Sequence, residues 1–135
     1  ANSFNNRNGV VGAYAVADGA EVFATPTPGV SPYDVVLADG RVLVSGAAQP
    51  DAASSDVWFA AYQTSGSQIW AQTLAGPGRD LASAVDVIGG RAYVGGQFEQ
   101  TVDFDPGAGT AARTSAGASD GFAALYDAAT GAFLL

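Results

Sequence analysis

The residues with the most distinctive chemistry in this sequence are two carboxylates in the segment Asp103-Phe104-Asp105-Pro106-Gly107. Two acids at i and i+2 before a turn offer the hard oxygen ligands that Ca²⁺ prefers. An EF-hand-like loop would continue with a third Asp or Asn and a distal Glu, and neither follows. Pro106-Gly107 also fits the central positions of a type II turn. We expect Asp103 and Asp105 to serve this turn; calcium is the alternative, with no site tighter than about millimolar.

Three further polar positions recur before equivalent apolar segments, at Asn8, Asp56 and Asp120. A repeated acid could line a channel or a ring of metal ligands, but such a residue more often caps a turn by accepting hydrogen bonds from nearby backbone N–H groups. We predict caps. Arg41 and Arg91 recur in the same way, and we predict solvated or ion-paired edge charges there rather than ligand-binding residues.

Two aromatic side chains, Trp58 and Tyr62, lie four residues apart and therefore on one face of a strand. Such a pair could form a platform for a sugar. The same spacing also fits packing between neighbouring sheets, which we expect instead.

The composition excludes several classes of function. The net charge is −8, so this surface repels nucleic-acid phosphates and anionic membranes. The chain has no His and no Cys, which removes Ser-His-Asp and Cys-His catalysis and zinc sites built from those residues. No apolar run approaches the roughly 18 residues that span a bilayer. Residues 1–7 lack the features of a signal peptide, as a mature secreted chain or an excised fragment would.

The elements that must position these residues are repeated along the chain. Tyr33–Gly46 recurs in outline as Ser83–Gly96, with Gly-Arg followed by an apolar triplet, a small residue and a Gly. A second unit occurs three times, as Asn8–Tyr14, Asp56–Tyr62 and Asp120–Tyr126. Repeats of this length indicate an array of similar supersecondary units.

Each full repeat is predicted to contain four strands, because short apolar or alternating runs are bounded by Gly, Pro, Asp and Ser and lack helical periodicity. The first two strands, joined by tight turns at Ala38-Asp39-Gly40 and Gly89-Gly90, are Asp34–Leu37 with Arg41–Val44, and Ala84–Ile88 with Arg91–Val94. The third strands are Val10–Tyr14, Val57–Tyr62 and Phe122–Tyr126, and the fourth strands are Glu21–Phe23, Gln68–Trp70 and Phe133–Leu135.

Four-stranded units at a period of roughly 40 to 50 residues predict the blades of an all-β propeller. The order gives about two and a half blades of an incomplete ring: residues 1–30 form the C-terminal half of a blade, 31–80 a second blade, and 81–135 a third with a longer loop between its second and third strands. Both ends are apolar, at Val10-Val11 and Phe133-Leu134-Leu135. We therefore expect this chain to be part of a longer polypeptide or to pair with other chains.

The third repeat resembles the SBBP-type β-propeller repeat of bacterial secreted and cell-surface proteins, through the Ala82–Val87, Arg91–Phe98, Thr101–Thr110 and Ser119–Asp127 segments. The likeness covers Leu81–Leu135 in full. It is shorter over Ser31–Asp80, and covers only the last two strands in residues 8–24. Leu135 stands where the family usually has Trp. The resemblance implies surface display in large exported proteins, including cargo of the Bacteroidota type IX secretion route, and it supplies no common catalytic residue.

We therefore expect a non-catalytic structural or interaction module of an exported bacterial surface protein, secreted or at the cell surface. Its expected partners are another protein or further blades of the same polypeptide, without nucleic acid and without membrane insertion. No cofactor is expected apart from the calcium alternative. The competing hypothesis is a lectin-like, glycan-binding propeller. A sialidase-like enzyme would need an arginine cluster, a Tyr-Glu nucleophile pair and Ser-x-Asp-x-Gly-x-Thr-Trp boxes; the boxes are absent, and we expect no enzyme.

Overall fold

The computed structural model describes residues 8–49 and 53–135, and over these ranges the chain is built from β-strands and turns without helix. The opening segment 1–7 lies outside the described residues. The strands of the described part are β1 (Asn8–Tyr14), β2 (Glu21–Pro28), β3 (Val30–Ala38), β4 (Arg41–Ala48), β5 (Asp56–Gln63), β6 (Gln68–Leu74), β7 (Leu81–Ile88), β8 (Arg91–Phe98), β9 (Thr101–Asp103), β10 (Ala112–Thr114) and β11 (Asp120–Asp127). The all-β prediction is confirmed.

The strands form three main antiparallel sheets that follow the order of the sequence repeats. Sheet 1 is the β1–β2 hairpin, sheet 2 has the order β3-β4-β5-β6, and sheet 3 has the order β7-β8-β11. A separate hairpin, β9–β10, is inserted between β8 and β11. None of these sheets closes on itself within the described residues, and no described helix is long and apolar enough to cross a bilayer.

The two predicted tight turns are confirmed by the backbone. Asp39 and Gly40 have φ of 51° and 70°, and Gly89 and Gly90 have φ of 58° and 75°. Two consecutive residues at positive φ define the type I′ turn, whose twist matches that of the flanking strands. These turns pair Ala38 with Arg41 in sheet 2 and Ile88 with Arg91 in sheet 3, and so set the register of both hairpins.

Sheet 3 departs from the four-strand prediction. Its predicted fourth strand, Phe133–Leu135, makes only a short pairing with β11. Phe133 forms an isolated bridge with Tyr126, and Leu125 N donates to Leu135 O at 2.7 Å. In sheet 2 the corresponding strand β6 pairs with β5 from Tyr62 to Val57.

The core lies between successive sheets rather than within one of them. One apolar cluster joins sheets 1 and 2 and includes Val11, Phe23, Val44, Trp58 and Tyr62. A second joins sheets 2 and 3 and includes Leu43, Phe59, Leu74, Val94 and Tyr126. Side chains alternate across a strand, so β5 sends Trp58 and Tyr62 towards sheet 1 and Phe59 towards sheet 3. Sheet 2 is therefore covered on both faces.

Candidate functional site

The two carboxylates of the 103–111 loop accept backbone hydrogen bonds. Asp103 Oδ1 accepts from Asp105 N at 3.1 Å and from Ala111 N at 2.7 Å, and Asp105 Oδ1 accepts from Gly107 N at 2.8 Å. The first carboxylate thus ties the two ends of the loop together, and the second closes the bend inside it. The prediction that both acids serve a turn is borne out by these bonds.

The predicted turn type is wrong. A type II turn needs φ near +80° at its second central residue, and Gly107 does not have a positive φ. The bend at Pro106-Gly107 is closed instead by the Asp105 carboxylate, in the manner of an Asx turn. A hydrogen bond from Gly107 N to the Asp105 side chain therefore closes the bend, instead of the type II backbone conformation that the Pro-Gly pair predicted.

The loop is held against β11 by one buried hydroxyl and a group of aromatic rings. Tyr126 Oη donates to Phe104 O at 2.9 Å. Burial raises the pKa of this phenol above its ordinary value, and the charges of Asp105 and Asp103 raise it further, so the hydroxyl remains a donor. The ring of Phe104 lies 5.3 Å from that of Phe98 and 4.9 Å from that of Phe122. These contacts fix the loop beside the outer edge of sheet 3.

Calcium at this loop stays an untested alternative to the turn role. Within the ranges 8–49 and 53–135, no three Asp or Glu side chains form a group that could hold a metal ion. Asp103 and Asp105 supply two carboxylates only, each already accepting backbone hydrogen bonds.

The repeated acids before the third strands act as caps, as predicted. Asp56 Oδ1 accepts from Gly76 N at 3.3 Å, and Asp120 Oδ2 accepts from Ala116 N at 2.8 Å. Asp120 closes the loop that precedes its own strand, whereas Asp56 reaches the loop that follows β6. The equivalent Asn8 is the first residue of β1, and its side chain lies outside the described part of the structure, so a cap at Asn8 stays a prediction.

The two repeated arginines lie at the ends of their sheets, directly after the type I′ turns. Arg91 is exposed and Arg41 is half-buried. Hydrogen bonds from Thr130 hold the pKa of Asp127 below its ordinary value, and the positive charge of Arg41 adds a smaller effect in the same direction. This agrees with the prediction of an edge charge for Arg41.

Trp58 and Tyr62 pack between sheets. Both side chains are buried, in contact with the cluster that contains Val11 and Phe23 of sheet 1. A buried ring offers no face to a sugar, so the platform alternative for this pair is wrong and the packing interpretation is confirmed.

Sequence reasoning missed Asp80, a fully buried carboxyl in the segment between sheets 2 and 3. Its Oδ1 accepts from Glu99 N at 2.7 Å, while Oδ2 is buried without a hydrogen-bond partner. Burial raises the pKa of Asp80, and the negative charges of Asp56 and Glu99 raise it further, against the lowering effect of the bond from Glu99 N. A Gly before an Arg-Asp pair was the only sequence signal, and it does not reveal burial.

Asp80→Asn should become more stable relative to the wild-type protein as the pH rises from about 4 to about 7. The folded pKa of Asp80 is raised above its ordinary value of 3.8, so its contribution to stability is present below that value and is lost as the pH rises through the folded pKa. Urea unfolding at a series of pH values measures this, with the exposed Glu21→Gln as the charge-matched control. A difference between Asp80→Asn and wild type that does not change with pH would contradict the account.

The sheets are joined by a contact that occurs twice, which we call the junction contact. The ring of Phe23 lies against Gly66, where an added Cβ would come within 2.6 Å of it, and Thr25 Oγ1 donates to Gly66 O at 2.7 Å. One repeat later, the ring of Trp70 lies against Gly131, where an added Cβ would come within 2.8 Å of it. An outer-strand aromatic of one sheet thus covers the turn glycine of the next sheet.

The second junction contact also contains hydrogen bonds. Gln72 Nε2 donates to Gly131 O at 3.4 Å, as Thr25 Oγ1 donates to Gly66 O in the first junction contact. In addition, Trp70 Nε1 donates to Ala128 O at 3.2 Å. Phe23 and Trp70, the last residues of two equivalent predicted fourth strands, therefore each make a contact between sheets.

Sheet 3 has an outer edge along β11, and we call it the β11 edge. β8 pairs with the inner side of Gly121–Ala124, and no strand of the described residues pairs with the outer side beyond the short pairing of Phe133 and Leu135 with β11. A groove of about 390 Å³ follows this stretch, and its lining includes Phe98, Phe104 and Phe122. Aromatic walls beside free backbone groups can receive an extended chain.

These features place the chain in the class of all-β proteins built from stacked antiparallel sheets. No protein-family model and no curated protein matches it.

Proposed function

We propose that this chain is a non-catalytic structural or interaction module of the β-propeller type, and that its β11 edge accepts an extended strand from a protein partner or from further blades. Following the repeat resemblance, the module belongs to an exported bacterial surface protein. The observation that carries this proposal is the difference between the equivalent strands β5 and β11. In the part of the chain that the structure describes, β5 has a full outer neighbour and β11 has none.

The template for the missing neighbour is β6. It pairs with β5 through Ala61 with Trp70, Ala60 with Ala71, Phe59 with Gln72, Trp58 with Thr73 and Val57 with Leu74. The short pairing on β11 reproduces the first of these steps, with Leu135 in the place of Trp70. A strand that continued in the same direction would lie along Ala124–Gly121, in the aromatic groove.

The backbone of β11 supports strand addition. Leu125 N points outwards, since it donates to Leu135 O. Alternate residues of an antiparallel strand point their N–H groups to the same side, so Ala123 N and Gly121 N also face the groove. Unpaired N–H and C=O groups at a sheet edge are a template for another strand, and main-chain bonds then supply the affinity.

The propeller architecture is supported by the order of the sheets. Three similar units follow one another, the junction contact repeats between them, and each core cluster lies between two units. In a propeller each blade likewise packs face to face on the next, and radial repetition protects the strand edges.

A synthetic peptide with the sequence of β6, Gln68–Leu74, should bind the protein with a dissociation constant of about millimolar or tighter. Calorimetric titration measures this. In the β6 template the residue opposite Phe59 is Gln72, whose N–H faces β5, whereas the N–H of Thr73 faces away.

This alternation provides matched control peptides. Replacing Gln72 by Pro removes a ladder donor and should abolish binding, while replacing Thr73 by Pro should leave most of it. Equal binding by the two Pro peptides, or no binding by the parent peptide at millimolar concentration, would refute strand acceptance.

A further inference from the structure

One tyrosine position shows that the described residues leave an outer face of sheet 1 uncovered. Tyr14, Tyr62 and Tyr126 occupy the same place near the end of the third strand of each repeat. Tyr62 is 1% exposed and Tyr126 is 0% exposed, each because the preceding sheet covers it. Tyr14, in sheet 1, is 61% exposed. The same side chain in the same sheet position is therefore buried wherever a preceding sheet is present.

The turn glycine of sheet 1, Gly19, is uncovered as well. Gly19 N donates to Ala15 O at 2.8 Å, as Gly131 N donates to Asp127 O at 2.8 Å, and both glycines have φ of 73°. Gly131 is covered by Trp70, whereas an added Cβ at Gly19 would meet nothing within 4 Å. Gly19 thus has the turn geometry of a glycine in a junction contact, but no aromatic ring of the described residues covers it.

We call this surface the leading face and define it by Val10, Tyr14 and Gly19. Val10 is exposed, whereas its equivalent Trp58 is buried. The leading face is apolar, and the equivalent positions in sheets 2 and 3 are each covered by the preceding sheet.

The opposite end of the stack carries the complementary surface, the trailing face, defined by Tyr93, Ala123 and Leu135. Tyr93 is 44% exposed, whereas its equivalent Leu43 in sheet 2 is 1% exposed and packs against sheet 3. Leu135 is exposed and occupies the place of Trp70, whose ring covers Gly131 in the second junction contact. Sheet 3 therefore presents the surface that sheets 1 and 2 use to contact their successors.

We infer that the trailing face of one copy of this chain docks on the leading face of a second copy, head to tail. The inference rests on the proposed function and names a partner for it. The argument is the continuity of the stack, because the same two kinds of face already meet at both internal junctions. A head-to-tail contact is heterologous, so it builds rings or open chains rather than a closed pair. The net charge of −8 on each copy opposes the contact, and added salt should strengthen it.

Light scattering after size exclusion, from micromolar to millimolar protein, tests this with two blocking variants. Tyr14→Asp disables the leading face, and Tyr93→Asp disables the trailing face. The wild-type protein should exceed 13.5 kDa increasingly with concentration, and each variant alone should stay at 13.5 kDa. An equimolar mixture should form a species of twice 13.5 kDa, because each variant keeps the face that the other has lost.

Ile69→Asp is the matched control, since Ile69 is partly exposed on sheet 2 and belongs to neither face; it should associate as the wild-type protein does. Near-UV circular dichroism verifies that all three variants keep their packing. A wild-type protein that stays at 13.5 kDa throughout, or a mixture that never forms the larger species, overturns the inference. Binding of the β6 peptide is measured separately, so a monomer that still binds the peptide refutes self-association and leaves the proposed function standing.

Discussion

Replacing Phe59 by alanine is expected to lower the free energy of unfolding by about 3 to 5 kcal/mol. Phe59 is buried between sheets 2 and 3, and its ring lies 4.4 Å from that of Tyr126 and 5.9 Å from that of Trp70. The substitution removes the apolar contacts of a whole ring and leaves a cavity that two rigid sheets cannot close. The effect is large because Phe59 packs on Tyr126 of sheet 3 and on Trp70 of its own sheet, in the core between the two sheets.

Urea unfolding followed by fluorescence measures this change. The control is Leu37→Ala, a truncation of a side chain that is exposed on β3, and its effect should stay within about 0.5 kcal/mol. If the two substitutions destabilise the protein equally, then sheets 2 and 3 do not share the core described for them.

Gly96→Ala is expected to destabilise the protein by about 3 kcal/mol, the upper part of the range for overpacked sites. A Cβ at this position would overlap the carbonyl oxygen of Leu81 and lie 2.9 Å from Ala82 Cα. Both obstacles are backbone atoms of β7, next to the point where the β7–β8 register shifts between Ala82 and Ala84. No rotation of a side chain can relieve the clash, so β7 itself must move.

The neighbouring Gly95→Ala is the control, because its Cβ would meet only Phe122 O at 3.6 Å, an ordinary contact. It should be neutral or slightly stabilising, since Ala loses less backbone entropy than Gly on folding. The two variants differ by one position in the same strand. Equal thermal unfolding temperatures for them would contradict the close approach of β7 and β8.

The sequence predicted the features that depend on local chemistry and repetition. The turns at Asp39-Gly40 and Gly89-Gly90 follow from the positive φ that Gly tolerates, and they fix the first two strands of sheets 2 and 3. Gly46 and Gly96 close the repeated motif because both approach a neighbouring strand too closely for any Cβ. The sequence shows the repeated glycines, but it does not show that the backbone of Ser31 and of Leu81 lies against them.

Features that depend on distant partners could not be predicted. The hairpin β9–β10 has strands of three residues each, Thr101–Asp103 and Ala112–Thr114, which are too short to show a periodic pattern. Asp80 is buried by loops from two sheets, and no local pattern marks it. The predicted type II turn is wrong because the Asp105 side chain accepts a hydrogen bond from Gly107 N and closes the bend locally, without the positive φ that a type II turn needs at Gly107.

The β11 edge belongs to this second group. Sequence alone gives Phe133–Leu135 the same strand character as Gln68–Trp70, and only the pairing shows that β5 is paired with β6 from Tyr62 to Val57 while the outer side of Gly121–Ala124 is unpaired among the described residues. Whether a strand has a neighbour is a property of the whole sheet. The β11 edge is therefore defined by the registers of β5 and β11 and not by any local sequence pattern.

Amide hydrogen exchange on the ¹⁵N-labelled protein, with and without the β6 peptide, tests the central claim most directly. In the free protein the outward N–H groups of Ala123 and Gly121 should exchange rapidly, while that of Phe59, covered by β6, should be protected. Adding the peptide should protect Ala123 and Gly121 and leave Phe59 unchanged. If Ala123 is as protected as Phe59 in the free protein, or stays unprotected when the peptide is saturating, the β11 edge is not an acceptor for a strand.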